Sequence, residues 1–448
     1  MPLLYLNQIA ALEHLSGDGD VDARVRQAID REMARQSANG AFGLWTADAD
    51  SDDLWLDAFV TDFLTRAREK SFAVPQAGFE LALDHLRNSA INAADPGEGA
   101  GEPLAYALYV LARNGRPVIG DLRYLADAKQ DAFKTPLAKA QLAAALAMLG
   151  DRARAGKGFA AALDALDAEQ DNGLSRPDYG STLRDAAATL ALVVEAEMTA
   201  AELPGDPIGR AGGALERARA ARVATSTQEN DWMVLAAEAL AKAKASSQFA
   251  VDGRPVDGAI YRTWSGFALG QKLITVANVG KATAELVTTA SGVPIAHDPP
   301  ASEGYAVERT FYRLDGTQTD LKTIAQNDRI VVVLKITESE ARSAKLLVVD
   351  RLPAGLEIDN PTLFDSGSID AFAWLKRDID PAHTEYRDDR FVAAFDREPG
   401  QSAFFSVAYV ARAVAPGLYV YPAATAEDMY RPDRFGRTGF GAIEVTAK

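Results

Sequence analysis

Two hydrophobic rhythms divide this chain near residue 247. Before that point apolar residues recur every three to four positions, in alanine-rich segments separated by short polar or Gly/Pro breaks. That spacing predicts helices at 3–16, 20–37, 53–70, 76–89, 103–114, 118–128, 136–149, 152–168, 180–199, 211–223 and 227–246. Asp52 or Asp53 is placed to cap the helix bearing Trp55, and Ser226 with Glu229 forms a capping box ahead of Trp232. The breaks Asn114-Gly115-Arg116-Pro117 and Gly150-Asp151 turn one helix back on the next, so consecutive helices pair as hairpins. An array of many short hairpins packs most simply as a toroid or a solenoid.

Beyond 247 the period falls to two and β-branched residues become common. Strands are predicted at 259–265, 271–278, 283–290, 305–314, 328–337, 345–350, 384–387, 391–396, 402–412, 417–422 and near 440–446. Asp252-Gly253, Asp315-Gly316, Pro353-Ala354-Gly355 and Glu398-Pro399-Gly400 supply turns. So many antiparallel strands suggest a sandwich. The Gly/Pro-rich stretch 292–304 sets a short β piece, with too few strands to close a sandwich alone, apart from a longer one. The expected organisation is a helical domain at 1–246, a partial β domain at 247–302 and a sandwich at 303–448. Met1-Pro2-Leu3-Leu4-Tyr5-Leu6 runs straight into Ile9, Leu12 and Leu15 at helical spacing, with no polar leader and no signal peptide. The expectation is therefore the carboxy-terminal part of something longer, with an incomplete helical array and an open apolar seam beside residues 1–16.

Composition narrows the chemistry. The 448 residues are 48% hydrophobic, enough for two or three cores. A formal charge of −16 argues against nucleic acid and anionic membrane as partners. No apolar run is long enough to span a bilayer. The absence of cysteine excludes disulfides, thiolate metal sites and a cysteine nucleophile within these residues. His14, His85, His297 and His383 lie far apart, with no metal-ligand spacing, so neither a metal nor a cofactor is expected.

Four features could carry chemistry, each with a plainer reading. Asp50-Ser51-Asp52-Asp53 matches the DxDD acid of class II terpene cyclases, and Gln36-x-x-x-Gly40-x-Phe42 approaches their QxxxGxW repeat. The plainer reading is an acidic loop capping the next helix. Asp18-Gly19-Asp20-Val21-Asp22 starts like a calcium loop but lacks its glycine and bidentate glutamate, and reads as a helix-connecting turn. His85, beside Asp84, is a lone helical histidine without a base-orienting partner. Trp45, Trp55, Phe59, Phe63 and Trp232 fall at helical spacings that suit core packing.

A longer set of blocks is more specific. Gln36-Ser37-Ala38-Asn39-Gly40-Ala41-Phe42-Gly43-Leu44-Trp45, Trp55 through Leu64, Tyr179-Gly180-Ser181-x-x-Arg184-Asp185 and Ser226-Thr227-Gln228-Glu229-x-x-Trp232 resemble the thioester domain of bacterial α2-macroglobulins. In the β half, Val307-Glu308-Arg309-x-Phe311-Tyr312, Leu352 through Ile358, His383 through Arg390 and Ala426 through Pro432 resemble the same family. The blocks run in order from end to end.

The resemblance implies a thioester-domain α/α toroid at 1–246, the second half of a CUB-type β domain at 247–302 and a macroglobulin-type sandwich at 303–448. It also implies that the family's cysteine–glutamine thioester and bait region lie outside this chain. The parent protein would then be a protease trap whose bait is cut and whose thioester acylates the attacker. Its partners would be proteases and its own upstream domains, its location the periplasm, with a lipoprotein anchor as a further option. Met429 and Tyr430, an apolar and an aromatic group in a polar segment, are the residues placed to shield such a thioester from water and amines. The alternatives are an enzyme on an α/α toroid, such as a polysaccharide lyase or a class II terpene cyclase, and a non-covalent binding module.

Overall fold

The computed structural model describes residues 1–5, 21–47, 53–93, 100–170, 176–222, 224–242, 248–257, 273–280, 292–293, 295–361, 369, 374–375 and 379–448. They fall into two compact units, the first built from 1–172, 176–221 and 228–288, the second from 173–175, 222–227 and 289–448.

The first unit carries the helices α1 (Val21–Met33), α2 (Leu54–Glu69), α3 (Gln76–Ile91), α4 (Gly101–Arg113), α5 (Ile119–Ala128), α6 (Pro136–Met148), α7 (Arg152–Ala168), α8 (Thr182–Glu195), α9 (Pro207–Ala220) and α10 (Thr227–Lys242). They sort into two layers by burial. Most residues of α2, α4, α6 and α8 are buried, whereas α3, α5, α7 and α9 bury a single stripe. The buried helices pack in series, α2 on α4, α4 on α6 and α6 on α8, and α3, α7 and α9 each lie against one of them. Small residues permit the close approach: a Cβ on Gly158 of α7 would stand 2.9 Å from the Cβ of Ala143 on α6.

Three predicted boundaries move, each for a local reason. The helix predicted at 20–37 ends at Met33, because Gln36 bridges back to Phe42 around Gly40, whose φ is +95°. The helix predicted to begin at 211 begins at Pro207: Asp206 caps it through Gly209 N, and proline suits a first turn. The segment predicted at 180–199 is helical over Thr182–Glu195, because Ser181 caps it through Arg184 N and Glu197 takes a positive φ beyond its end. Of the predicted 3–16 helix, residues 3–5 are helical and Leu4 is buried, while Leu12 and Leu15 lie outside the described residues. The first unit also holds β1 (Gln248–Val251), β2 (Arg254–Asp257) and β3 (Val276–Asn278), in the order β2-β1-β3. Asp252 and Gly253, both at positive φ, make the β1–β2 turn that their sequence announced, though the two strands themselves were not expected. The predicted strands 259–265 and 283–290 lie outside the described residues, as does the start of 271–278.

The second unit is antiparallel β. Its strands are β4 (Ala301–Glu303), β5 (Tyr305–Tyr312), β6 (Gln318–Thr319), β7 (Thr323–Ala325), β8 (Arg329–Glu338), β9 (Ala344–Arg351), β10 (Leu356–Ile358), β11 (His383–Tyr386), β12 (Arg390–Arg397), β13 (Phe404–Ala413), β14 (Gly417–Tyr421), β15 (Ala424–Asp428), β16 (Arg431–Arg437) and β17 (Gly441–Thr446). One sheet runs β10-β13-β8-β5-β6, a second β11-β12-β9-β15-β16-β4, and β14-β17-β7 forms a small third sheet with a parallel β17–β7 pair. Leu334 and Ile336 of β8, Leu346 and Val348 of β9, Phe391 and Phe395 of β12 and Phe405 of β13 meet in one core. Val331, Val333, Ala408 and Val410 face a second cluster with Trp374, so β8 is covered on both faces and reads as an unbroken apolar run. The longer predicted strands appear within a few residues of their expected ends. β4, β6, β7 and β10 went unforeseen because they are two or three residues long. β15 and β16 went unforeseen because Arg431-Pro432-Asp433-Arg434-Phe435-Gly436-Arg437 has no apolar alternation.

Buried charge ties the two large sheets together. The Arg309 guanidinium of β5 donates to Asp350 Oδ1 of β9 at 2.7 Å, and Tyr409 of β13 donates to Oδ2 at 2.8 Å. Arg309 also donates to the Pro422 carbonyl and lies 3.8 Å from the centre of the Tyr421 ring. Burial raises the Asp350 carboxyl against the pull of Arg309. Arg397 of β12 makes the same kind of tie, its Nε 2.6 Å from Glu338 Oε1 of β8. Arg309→Met keeps the volume but leaves Asp350 buried without its cation. The expected loss is about 3–5 kcal/mol in urea unfolding, recovered in part by adding Asp350→Asn.

Candidate functional site

Within the helical unit, buried polar groups gather around α2. Asp53 caps this helix through the amides of Trp55 and Leu56, and its second oxygen accepts from Tyr179 at 2.7 Å. One turn on, Asp57 is buried: Oδ1 accepts from Phe42 N at 2.7 Å and Oδ2 meets His85 Nε2 at 2.9 Å. Gly40 makes this packing feasible, since a Cβ there would lie 2.4 Å from the Leu81 carbonyl oxygen. Further along, fully buried Asp62 accepts from Arg66 Nε and from Tyr106, both at 2.9 Å, and Arg66 reaches Tyr109 at 3.0 Å. Desolvation keeps Tyr106 and Tyr109 protonated, raising both phenols.

A second cluster frames the start of α8. Ser181 caps the helix through Arg184 N and donates to Glu229 at 2.6 Å. The buried Arg184 binds Asp185 and Asp178, and Arg176 joins both carboxylates. Burial pushes Asp178 up, but Arg184 and Arg176 outweigh it and hold the group below the usual carboxylate range. Glu169 goes the other way: burial and the nearby Asp185 charge push it up to about 8. Its Oε1 accepts from Arg176 at 3.2 Å, and its Oε2 has no hydrogen-bond partner among the described residues.

In the sandwich unit, Met429 and Tyr430 link β15 to β16 at a register shift. Both are half-buried. The Met429 amide donates to the Lys345 carbonyl at 2.9 Å, and the Tyr430 amide to buried Asp428 Oδ1 at 3.1 Å. The backbone of this turn is fixed while its two side chains keep access to solvent.

These two folds have known counterparts. Residues 304–433 match the model of the bacterial α2-macroglobulin MG10 domain. The chain is 32% identical to α2-macroglobulin of Escherichia coli over 96% of its own length, and 30% identical to that of Xylella fastidiosa over 91%. The crystal structure of native E. coli α2-macroglobulin from domain MG7 to the C-terminus superposes on 99% of this chain and 72% of that one, with a TM-score of 0.78 and 28% identity. Salmonella α2-macroglobulin reacted with methylamine superposes on all of this chain and 29% of that one, again at 0.78 and 28%. This chain belongs to the bacterial α2-macroglobulin family. It spans about a quarter of the curated relatives, 27% of the E. coli protein and 26% of the Xylella one.

Family membership recasts the residues singled out from sequence. Asp53, the end of the DxDD run, is a helix cap, and Asp50 to Asp52 lie outside the described residues. The reading of His85 as a histidine without an orienting partner is corrected: Asp57 is that partner, on a different helix and 28 residues away. Trp55, Phe63 and Trp232 are buried core residues, and Trp55 stacks on Phe59 at 5.3 Å between ring centres. Arg66, Asp62 and Asp185 went unnoticed as individuals. The signal that could have found Asp62 and Arg66 is an opposite-charge pair four residues apart within the apolar stretch of α2.

The Glu169 cluster has a measurable pH dependence. An acid whose folded-state value lies above its unfolded one of about 4.5 favours folding fully at low pH. That contribution disappears as the unfolded chain ionises first, between about pH 4.5 and 8. Glu169→Gln, which mimics the neutral acid, should flatten the fall of Tm over this window and raise Tm at pH 8, as followed by circular dichroism.

Proposed function

We propose that this chain is the carboxy-terminal part of a bacterial α2-macroglobulin-like endopeptidase inhibitor, and that it acts as a structural component of a protease trap and performs no catalysis of its own. The observation that carries the reading is the agreement over nearly the whole chain in both sequence and fold. The two-layered helical array, with buried helices in series and amphipathic ones outside, supports an α/α toroid at 1–246. The MG10 match supports a sandwich domain at 303–448, leaving 247–302 as the second half of a CUB-type domain. Proteases would be met through the full-length protein, in the periplasm. Among the described residues no helix is long and apolar enough to cross a membrane.

In such a trap the reactive centre is an internal thioester. A nucleophilic amine adds to the acyl carbon, the carbon–sulfur bond breaks, and sulfur departs as a thiol bearing the proton. The relative from Salmonella was crystallised after reaction with methylamine. The present chain has no cysteine, so the sulfur must come from outside residues 1–448. What it would contribute is exclusion of water and free amines until the bait is cut. Met429 and Tyr430 suit that role, because their backbone is anchored and both residues are half-buried at the turn.

Two experiments test the reading. Incubated with methylamine and examined by intact-mass spectrometry, the 448-residue chain should gain no adduct, and it should leave elastase activity unchanged. A stoichiometric adduct would reveal a reactive centre within it. In the full-length protein, Met429→Ala should preserve the fold yet release free thiol faster in methylamine, because the lost contact guards access and not the core. Equal rates in mutant and parent would rule out a shielding role for Met429.

A further inference from the structure

The sandwich unit carries an apolar strand at the rim of its smallest sheet. Among the described residues β14 pairs with β17 alone, in the order β14-β17-β7. Its inward side chains are anchored. Tyr421 is buried in the core, and Tyr419 packs over Gly355, where a Cβ would lie 2.3 Å from the ring. Val414, shortly before the strand, donates to the Gly355 carbonyl at 2.9 Å. Its outward side chains are Leu418, 78% exposed, and Val420, 54% exposed. Val420 stands opposite exposed Ala442 of β17, so the apolar face continues across the pair, and exposed Glu444 opposite Leu418 ends it. The sequence here departs from the rest of the chain. A quarter of all residues are charged, yet none lies between Arg412 and Glu427. Edge strands are normally guarded by a lysine, an inward charge or a bulge, since half of their N–H and C=O groups point away from the sheet. β14 has no charged residue and pairs with β17 in unbroken register. Pro416 and Pro422 bracket it and limit the length that an added partner can pair with.

We propose that β14 is a docking edge for a strand from another domain of the longer protein, an uncharged segment whose apolar side chains extend the face of Leu418 and Val420. Two arguments choose this occupant. The chain spans 27% of the E. coli relative, so most of such a protein lies outside it. A second copy is the poorer fit, because a charge of −16 on each chain opposes association. A five-residue strand also falls well short of the roughly 1,200 Å² that a stable specific interface between free proteins buries. A strand on the same polypeptide needs no such area, since it meets β14 at a high effective concentration. The longer protein rests on the trap reading above. Docking is measured without reference to inhibition, so the two can fail separately.

The test compares amide hydrogen exchange of residues 417–421 in the full-length protein and in the 448-residue chain, read by mass spectrometry with β9 as the internal reference. The expected result is exchange about tenfold slower or more in the full-length protein, with β9 unchanged. Leu418→Lys combined with Val420→Lys should restore the fast rate there. The same pair should leave Tm of the 448-residue chain within about 1 °C, because both side chains are exposed. Equal exchange in the two proteins would overturn the proposal, as would protection that persists in the double variant. Protection of the 448-residue chain that grows with its concentration, together with a dimer mass in light scattering, would make the occupant a second copy and overturn it as well. A protected β14 in a full-length protein that leaves elastase untouched would sink the trap reading and uphold the docking edge.

Discussion

A charged group taken out of water must meet its opposite, and in this chain that requirement decides which elements are neighbours. An unpaired buried ion costs several kcal/mol, on the order of half the stability of a typical domain. Arg66, Arg184 and Arg397 are among the largest fully buried side chains here. Each is matched: Arg66 to Asp62, Arg184 to Asp178 and Asp185, Arg397 to Glu338. In the sandwich the ties join one sheet to the other, so a slip of register would bury two lone charges at once. Apolar packing alone would tolerate many arrangements of alanine-rich helices. The bonds that Asp62 and Arg66 of α2 make to Tyr106 and Tyr109 of α4 select among them.

The family's sequence blocks acquire physical content from these pairings. In Tyr179-Gly180-Ser181-x-x-Arg184-Asp185, the tyrosine reaches Asp53, the serine caps α8, and the arginine and aspartate pair with each other. Gly180 suits its place because a Cβ would sit 2.0 Å from the Arg184 Nη2 atom, which Asp178 holds in position. In Leu352-Pro353-Ala354-Gly355-Leu356, a Cβ on Gly355 would lie 2.3 Å from the Tyr419 ring. These blocks hold the scaffold together.

Periodicity made most of the architecture legible. The 3.6-residue rhythm located the single-stripe α-helices, alanine-rich apolar runs between polar and Gly/Pro breaks located the helices buried nearly all round, and the period-two rhythm located the long strands. It failed where no periodicity exists to be read. The β15–β16 hairpin is charged along one strand, and its position is set by pairing with β9 and β4. The partner of His85 was hidden for a different reason: Asp57 becomes its neighbour only when α2 and α3 pack. Met429 and Tyr430 stood out in the sequence, but that their backbone is held while their side chains are left half-buried is a fact of the hairpin.

The central claim is that hydrogen bonds to the Lys345 carbonyl and to Asp428 hold the hairpin turn of Met429 and Tyr430 rigid. Amide hydrogen exchange of the 448-residue chain, resolved at Met429 and Tyr430, tests it most directly. With their donors engaged by the Lys345 carbonyl and by Asp428, both amides should exchange as slowly as the interior of β9, in step with opening of the whole sandwich. Exchange at the rate of an open loop would contradict the account.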